Sequence, residues 1–353
     1  MRGGTSKGPF FLASDLPPQA AARDKVLLAV MGSPDPRQID GLGGAEPLTS
    51  KVAIVAKSQR PGIDVDFLFA QVLIDQPQVD ISPNCGNMLA GVGPFAIERG
   101  LVAACDPLTR VSIFMVNTGN LAVATVQTPG GEVRYDGATA IAGVPGTAAP
   151  IGIEFLNTAG SVCQSLLPTG HARDRIDGID ITCIDNGMPV VVLAAQSLGK
   201  TGYEAPRELD ADRDFKARLE KLRLAAGALM GLGDVSHKVV PKMTLIAAPQ
   251  AGGHVCTRTF IPHRCHSAIG VLGAVSVATA CVMPGSVAEG IARIPAGSPS
   301  VLSVEHPSGE FTVTLEVSTA DGSFSVGRSG ILRTARALMR GEVLVPQLVW
   351  DGH

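Results

Sequence analysis

Aromatic and charged residues are both scarce in this chain of 353 residues, and each shortage excludes a class of protein. Aromatic residues make up 4% of the sequence and charged residues 17%. The formal net charge is −3, and lysines and arginines form no cluster. The chain therefore lacks the basic surface that binding to nucleic acid or to an acidic membrane requires. We expect no nucleic-acid partner.

Glycine and proline, in contrast, are plentiful, at 41 and 25 residues. A core with few aromatic rings must be built from Val, Ala, Leu and Ile, and so many glycines and prolines predict many tight turns. The length supports about two domains.

The seven cysteines include no CxxC pair. An odd number without that spacing is typical of reduced thiols and predicts a cytoplasmic protein, and no secretory leader opens the sequence. His263 and His266 lie on either side of Cys265, but no second ligand cluster accompanies them. We therefore expect no metal.

The stretch from His266 to Ala288 contains no charged residue and has about the length of a membrane span. It includes Ser, Thr, Pro and Gly, lacks Phe and Trp, and has no basic flank beyond Arg264. We interpret it as a buried helix and expect no membrane partner.

Short runs of β-branched residues bounded by Gly, Pro, Asn or Asp predict strands. They are 52–56, 67–74, 111–117, 121–126, 181–184 and 190–194. Residues 213–230 predict an amphipathic surface helix. Residues 86–99 and 267–282 are nearly uncharged and rich in Gly and Ala, which is typical of a helix surrounded on all sides.

Each of these two buried helices is followed by a predicted hairpin. The hairpins are 111–126, with a turn at Thr118–Asn120, and 302–317, with a turn at Pro307–Gly309. The repeated order predicts two similar lobes, each with a sheet around a central helix.

Cys85 stands at the start of the first buried helix, between Asn84 and Gly86-Asn87. Free backbone N–H groups at a helix start bind anions and activate a thiol. A free cysteine is often only a small buried apolar residue, but these polar and glycine neighbours are not core formers and favour a functional role. The second helix begins correspondingly with His266-Ser267, which could also be an ordinary N-cap.

Two further segments carry polar groups suited to an acidic substrate. Residues 2–8, RGGTSKG, lack the spacing of a nucleotide phosphate loop, but Thr5, Ser6 and Lys7 offer donors to a carboxylate; the alternative is an ordinary turn. Lys51 opens a strand after a glycine-rich loop. Burial there would favour the neutral amine that a general base needs, although most lysines at strand ends are merely solvated.

Five long segments, collinear over nearly the whole chain, resemble the PrpF family of cofactor-independent isomerases. They are RGGTSKG (2–8), IDGLGGAEPLTSKVAIV (39–55), NCGNMLAGVGPFAIERGLV (84–102), CIDNGMPVVVL (183–193) and IPHRCHSAIGVLGAVSVATACVMPGSVA (261–288). The resemblance implies an α+β fold similar to diaminopimelate epimerase. In that fold two pseudo-symmetric lobes each curl a mostly antiparallel sheet around a central buried helix. We predict that residues 1–175 and 331–353 form the first lobe and residues 176–330 the second.

The resemblance also implies roles for individual residues. Lys51 is expected to be the acid/base that moves a proton, and Cys85 a second catalytic group. One end of the substrate is expected to be bound by Thr5, Ser6, Lys7, Asn84, Gly86 and Asn87, and the other by His266 and Ser267. Diaminopimelate epimerase has a catalytic cysteine at both helix starts. Here Cys265 lies just outside the second start, which favours one base with electrostatic stabilisation.

The activity implied is keto–enol tautomerisation of 4-oxalomesaconate, an unsaturated tricarboxylate of gallate degradation, by a cytoplasmic homodimer without a cofactor. Members of the family usually have a short strand before the first motif, so either an alternative start was assigned or the first strand is missing, and a missing strand would leave a sheet edge exposed. Three alternatives stay open. They are an isomerase of 2-methylaconitate or another aconitate-type acid, a protein that only binds small acids, and a hydrolase with Cys85 as nucleophile and His266 as base.

Overall fold

The computed structural model describes residues 1–294, 300–319 and 324–350. The chain divides into two units, Met1–Glu154 with Leu332–His353, and Phe155–Ile331. This division differs from the predicted boundaries in residues 155–175, which belong to the second unit. The backbone N–H groups of Val162 and Cys163 each donate to the Asp185 carboxylate at 2.7 Å, and these bonds fix the segment to the second unit.

The first unit is a mixed sheet with two helices. Its elements are β1 (Arg2–Gly3), β2 (Ser6–Lys7), β3 (Phe10–Leu12), α1 (Ala20–Met31), β4 (Lys51–Lys57), β5 (Val65–Val72), β6 (Val79–Asp80), α2 (Gly86–Glu98), β7 (Leu108–Met115) and β8 (Asn120–Gln127). Strand β4 runs parallel to β3 and antiparallel to β5, while β7 runs parallel to β5 and antiparallel to β8.

Two helices cover this sheet. Helix α1 packs its buried Leu27 and Met31 against Val52 and Ile54 of β4. Since side chains alternate along a strand, Lys51, Ala53 and Val55 lie on the opposite face. Helix α2 packs against β4, β5 and β8 and is buried from Met88 to Ala96.

The second unit is also a mixed sheet. Strand β9 leads into it and β17 leads out of it, and the elements are β9 (Pro150–Leu156), β10 (Asp174–Ile176), β11 (Ile179–Asp185), β12 (Pro189–Ala194), α3 (Pro206–Ala211), α4 (Arg213–Leu229), β13 (Lys242–Ala247), β14 (Val255–Phe260), α5 (Val271–Val282), β15 (Ser300–His306), β16 (Gly309–Ser318) and β17 (Ser325–Arg336).

Its strand pairing follows the order of the first unit. Strand β13 runs parallel to β12 and antiparallel to β14, while β15 runs parallel to β14 and antiparallel to β16. Helix α4 packs Leu219 and Leu222 against Met243 and Leu245 of β13. Helix α5, which packs against β11 and β12, is buried from Gly273 to Cys281.

Most predicted elements are confirmed, including the helices near 86–99 and 213–230 and both hairpins. The predicted start of the second buried helix at Ser267 is wrong, because the helix begins at Val271 with Gly270 as its N-cap. The His266 N–H donates to Thr259 O at 2.7 Å, and the Ala268 N–H donates to His266 Nδ1 at 2.7 Å. These bonds hold the chain in a turn.

Helix α5 supplies the middle of the uncharged stretch. In the ranges that the structure describes, no helix combines the length and the hydrophobicity needed to cross a bilayer.

Candidate active site

Lys51 and Cys85, far apart in the sequence, meet in the first unit. Lys51 Nζ lies 3.4 Å from Cys85 Sγ. Only 9% of Lys51 and 8% of Cys85 is exposed, so the pair is largely withdrawn from water. An amine and a thiol at this distance are within hydrogen-bond reach, so a proton can pass between them.

Cys85 takes its position from helix α2. It is the N-cap residue, with an extended backbone at φ −132° and ψ 99°, and its sulfur accepts a bond from the Met88 N–H at 3.5 Å. The sulfur thus occupies the place of the oxygen in an ordinary N-cap. Cys85 is held where the N–H groups of the first helical turn converge, which is the positive end of the helix dipole.

Lys51 is positioned by the residue before it and by the loop that leads to it. The Ser50 hydroxyl donates to Val72 O at 2.8 Å and accepts from Gln38 Nε2 at 2.7 Å. The loop wraps tightly around Gln38, since a Cβ on Gly43 would lie 2.1 Å from the Gln38 side chain. The Lys51 ammonium also lies 5.6 Å from the centre of the Phe69 ring, a cation–π distance.

The RGGTSKG motif packs against both residues. A Cβ on Gly4, whose φ is +52°, would lie 2.1 Å from Asn87 Oδ1, and a Cβ on Gly8 would lie 1.7 Å from Lys51 O. Asn87 Nδ2 donates to Thr5 Oγ1 at 3.0 Å, which joins the motif to the start of α2. The glycines are needed because the backbone approaches its neighbours so closely.

Three buried polar atoms near this helix start have no hydrogen-bond partner among the described residues. They are Ser6 Oγ, Asn84 Oδ1 and Asn87 Oδ1. The amide of Asn84 is anchored on its other side, because Nδ2 donates to Thr118 Oγ1. Unsatisfied buried polar atoms are costly, and a polar ligand would satisfy them.

Lys7 points elsewhere. Ser6 is buried and Lys7 exposed, as expected for successive residues on opposite faces of a strand. Lys7 lines a cavity of about 490 Å³ with Met1, Phe10 and Glu98, and neither Lys51 nor Cys85 is among its lining residues. The structure thus brings Thr5, Ser6, Asn84, Gly86 and Asn87 together with the Lys51–Cys85 pair but not the Lys7 side chain.

In the second unit, His266 and Ser267 lie in the turn before helix α5. The Ala268 N–H donates to His266 Nδ1, so the ring proton of the neutral imidazole is on Nε2. Burial, reinforced by the charge of Lys242, lowers the pKa of His266. The neutral ring therefore offers an N–H donor, while Ser267 is exposed.

Cys265 is unsuited to chemistry. Its N–H donates to the Asp210 carboxylate at 2.8 Å, and burial together with that carboxylate raises the pKa of the thiol to about 12. A thiol with this pKa carries almost no thiolate at neutral pH. The second unit thus has no counterpart of Cys85 at this position.

Lys242 is a further buried lysine that was not predicted from the sequence. It opens β13 as Lys51 opens β4, it is 9% exposed, and burial lowers its pKa to about 8. The signal was available in the run Lys242–Ala247, a lysine directly before apolar strand residues, but the segment was not predicted as a strand.

All seven cysteines are free thiols. In the described part of the chain, no group of three or more His, Cys, Asp or Glu side chains is placed to hold a metal ion. Within those same residues the hydrogen bonds of Cys85 Sγ come from Lys51 Nζ and the Met88 N–H, and none comes from a histidine. This arrangement does not favour a cysteine–histidine hydrolase.

Comparisons with known proteins identify the family of the chain. The family model described as PrpF protein matches residues 1–346. The chain is 63% identical over 345 residues to (4E)-oxalomesaconate Delta-isomerase of Novosphingobium sp. (strain KA1), covering 98% of this chain and 96% of the relative. It is 58% identical over 352 residues to 4-oxalomesaconate tautomerase of Pseudomonas putida (strain KT2440), covering 100% and 96%.

A solved structure shows the same fold. The crystal structure of methylitaconate-delta-isomerase superimposes with a TM-score of 0.87 at 35% identity, covering 99% of this chain and 95% of that one. All three proteins are named as isomerases or tautomerases. The family model and these relatives extend over almost the entire chain, and the chain belongs to the PrpF family.

Proposed function

We propose that this protein is an isomerase that interconverts the keto and enol tautomers of 4-oxalomesaconate without a cofactor. Two relatives at 63% and 58% identity are named for this substrate. The observation that carries the proposal is the buried pair of Lys51 and Cys85, 3.4 Å apart at the N-terminus of helix α2. It combines a base with a helix end that stabilises negative charge.

Lys51 in its neutral form takes a proton from the substrate carbon next to the carbonyl group. The electron pair of the broken C–H bond forms a new C=C bond, the π pair of the carbonyl group moves onto its oxygen, and a dienolate results. The ammonium then returns the proton to that oxygen, which completes the enol and restores the amine. The reverse sequence forms the keto tautomer. Because no proton is gained or lost overall, the reaction needs no further reagent.

The dienolate is stabilised by donors that are already in place. The free N–H groups at the start of α2, around Gly86 and Asn87, point toward developing negative charge, and the unpartnered Ser6 hydroxyl adds a further donor. Preorganised donors of this kind lower a barrier because they need no reorganisation during the reaction. Cys85 shares a proton with Lys51 and fixes the position of Nζ.

The remaining substrate contacts are assigned by the same proposal. Thr5, Ser6, Asn84, Gly86 and Asn87 bind the tricarboxylate beside the Lys51–Cys85 pair. Lys7 is left out of this assignment, because its side chain faces the separate 490 Å³ cavity. His266 and Ser267, in the second unit, are also assigned to the binding of an acidic group.

We propose further that the two units are pseudo-symmetric lobes, each with a curled, mostly antiparallel sheet around a central helix. The shared order of strand pairing around α2 and α5 supports this.

A cytoplasmic homodimer completes the proposal. Seven free thiols suit a reducing compartment, and light scattering tests the dimer.

The test is an assay of 4-oxalomesaconate in D₂O, followed by absorbance and proton NMR. We expect tautomer interconversion by the wild type and a loss of kcat of about 10³-fold in Lys51→Ala, since the general base is removed. Cys85→Ser should lower kcat about 10-fold, as a weaker hydrogen bond replaces the Lys51–Cys85 contact. Lys57→Ala is the matched control, because Lys57 is exposed at the other end of β4.

The other outcomes decide between functions. Full activity in Lys51→Ala would refute the assigned base. Turnover of trans-aconitate but not of 4-oxalomesaconate would identify an aconitate-type isomerase. Binding of both acids without turnover would indicate a protein that only binds small acids.

A further inference from the structure

Lys242 is a buried lysine for which the fold supplies no partner. It is 9% exposed, and no hydrogen bond or ion pair joins its ammonium to another residue in the described ranges. Other buried cations of this unit are paired: Arg223 bonds to Glu220 and to the carbonyl of Val235, and Arg258 bonds to the carbonyl of Glu204. Burying an unpaired charge destabilises a protein, so a lysine kept in this state points to a ligand.

Lys242 also occupies in the second unit the place that Lys51 has in the first. Each is the first residue of a strand that runs parallel to one neighbour and antiparallel to the next. Met243 and Leu245 pack into the core beneath helix α4, so Lys242 and its paired residue Val190 lie on the other face. Helix α5 covers that face.

The groups around Lys242 suit an anion. His266 lies near Lys242, because its N–H donates to Thr259 O and Thr259 pairs with Thr244, two residues after Lys242 on β13. Its Nδ1 accepts from the Ala268 N–H, which leaves the Nε2–H as a donor. The N-cap of α5 is Gly270, which has no side chain to satisfy the first helical N–H groups. The other charged group that acts on Lys242 is the guanidinium of Arg223 on α4. Asp210, the nearby carboxylate, is bound by the Cys265 N–H.

We propose that Lys242 and His266 together form a carboxylate-binding site of the second unit. The assignment of the ligand rests on the proposed function. The ammonium supplies the charge, and His266 Nε2 and the first N–H groups of α5 supply further donors. Burial lowers the pKa of Lys242 to about 8, so it is cationic at neutral pH and loses its charge in mildly alkaline solution.

The first experiment compares steady-state kinetics of Lys242→Met, Lys242→Arg and the surface control Lys221→Met. We expect KM for 4-oxalomesaconate to rise about 30-fold in Lys242→Met, while kcat stays within about 5-fold of the wild-type value. A change of this size is expected when one charge-assisted hydrogen bond is lost. In the wild type kcat/KM should fall about 10-fold per unit above pH 8, and Lys242→Arg should abolish this fall because arginine stays charged. An unchanged KM, or an alkaline fall that persists in Lys242→Arg, would overturn the proposal.

The second experiment measures the binding of trans-aconitate by calorimetry, independently of turnover. We expect binding about 30-fold weaker in Lys242→Met and unchanged in Lys221→Met. If the wild type fails to convert 4-oxalomesaconate but this difference is found, the proposed function fails and the role of Lys242 stands. If binding is equal in wild type and Lys242→Met, the role of Lys242 fails whatever the activity.

Folding of the variant is checked by thermal unfolding. Lys242→Met removes an unpaired buried charge, so its melting temperature should be equal to or above that of the wild type. A lower melting temperature would show that the lysine supports the fold and would contradict a ligand-binding role.

Discussion

Lys51 and Lys242 each open a strand, where a lysine is ordinarily solvated, and both are buried. Both are 9% exposed, but their partners differ. Lys51 contacts the sulfur of Cys85, which can take or return a proton, whereas Lys242 has only cationic or neutral groups acting on it, Arg223 and His266. These different surroundings support the two roles proposed above, proton transfer for Lys51 and carboxylate binding for Lys242.

The cysteine thiols also differ in burial and in pKa, and chemical labelling tests this difference. Burial raises the pKa of Cys183, Cys265 and Cys281 to about 12, whereas Cys105 is exposed. Since the thiolate is the reactive form, iodoacetamide at pH 8 should modify Cys105 within minutes and leave these three intact. Peptide mass spectrometry after timed labelling measures this, with labelling in guanidinium chloride as the control. Native labelling of Cys265 at the rate of Cys105 would contradict it.

Among the elements, the local patterns were enough for helix α2 but not for α5. Helix α2 was predicted at 86–99 and runs over Gly86–Glu98, because its N-cap Cys85 and its Gly- and Ala-rich turns are adjacent in sequence. The start of α5 depends on a distant contact, the bond from the His266 N–H to Thr259 O, which keeps residues before Val271 out of the helix.

The candidate site, too, could be predicted from the sequence only in part. The sequence singled out Lys51 and Cys85 separately and the family resemblance joined them, but their contact is tertiary, as is the approach of Gly8 to Lys51. Lys242 was missed because a lysine before a strand is usually solvated. Its burial follows from pairing with Val190 and from packing of α5, which no local pattern encodes.

The turn between β2 and β3 gives a prediction at the scale of the element. A Cβ on Gly8 would lie 1.7 Å from Lys51 O, so Gly8→Ala should displace β4 at its first residue. We expect a loss of about 2 kcal/mol in the free energy of unfolding, measured by urea denaturation, and a fall in kcat of at least about 10² as Nζ shifts.

Gly152→Ala in β9 is the control for this variant. A Cβ there meets only ordinary contact, with Thr125 Cβ at 3.8 Å. It should therefore keep both activity and stability. If Gly8→Ala matched Gly152→Ala in both measurements, Gly8 would not be what positions Lys51.

At the scale of the whole molecule, the scarcity of charge makes each buried charge informative. Charged residues make up 17% of the chain, and few of them are buried. Arg223 and Arg258 are held by carbonyl groups and have structural roles. Lys51 and Lys242 are not held in this way, and these are the two lysines to which the proposals assign proton transfer and carboxylate binding.

This placement of charge predicts selectivity for the more polar substrate. A solved structure with this fold is that of a methylitaconate isomerase. Methylitaconate is a dicarboxylate, which lacks the third carboxylate and the oxo group of 4-oxalomesaconate. When the smaller acid binds, the buried donors that would pair with those groups are left without a partner. The binding free energy lost in this way is far larger than that lost with an apolar contact. We expect kcat/KM for 3-methylitaconate to be at least about 10³-fold below that for 4-oxalomesaconate. Comparable kcat/KM values for the two acids in the wild type would show that the site does not select for the third carboxylate.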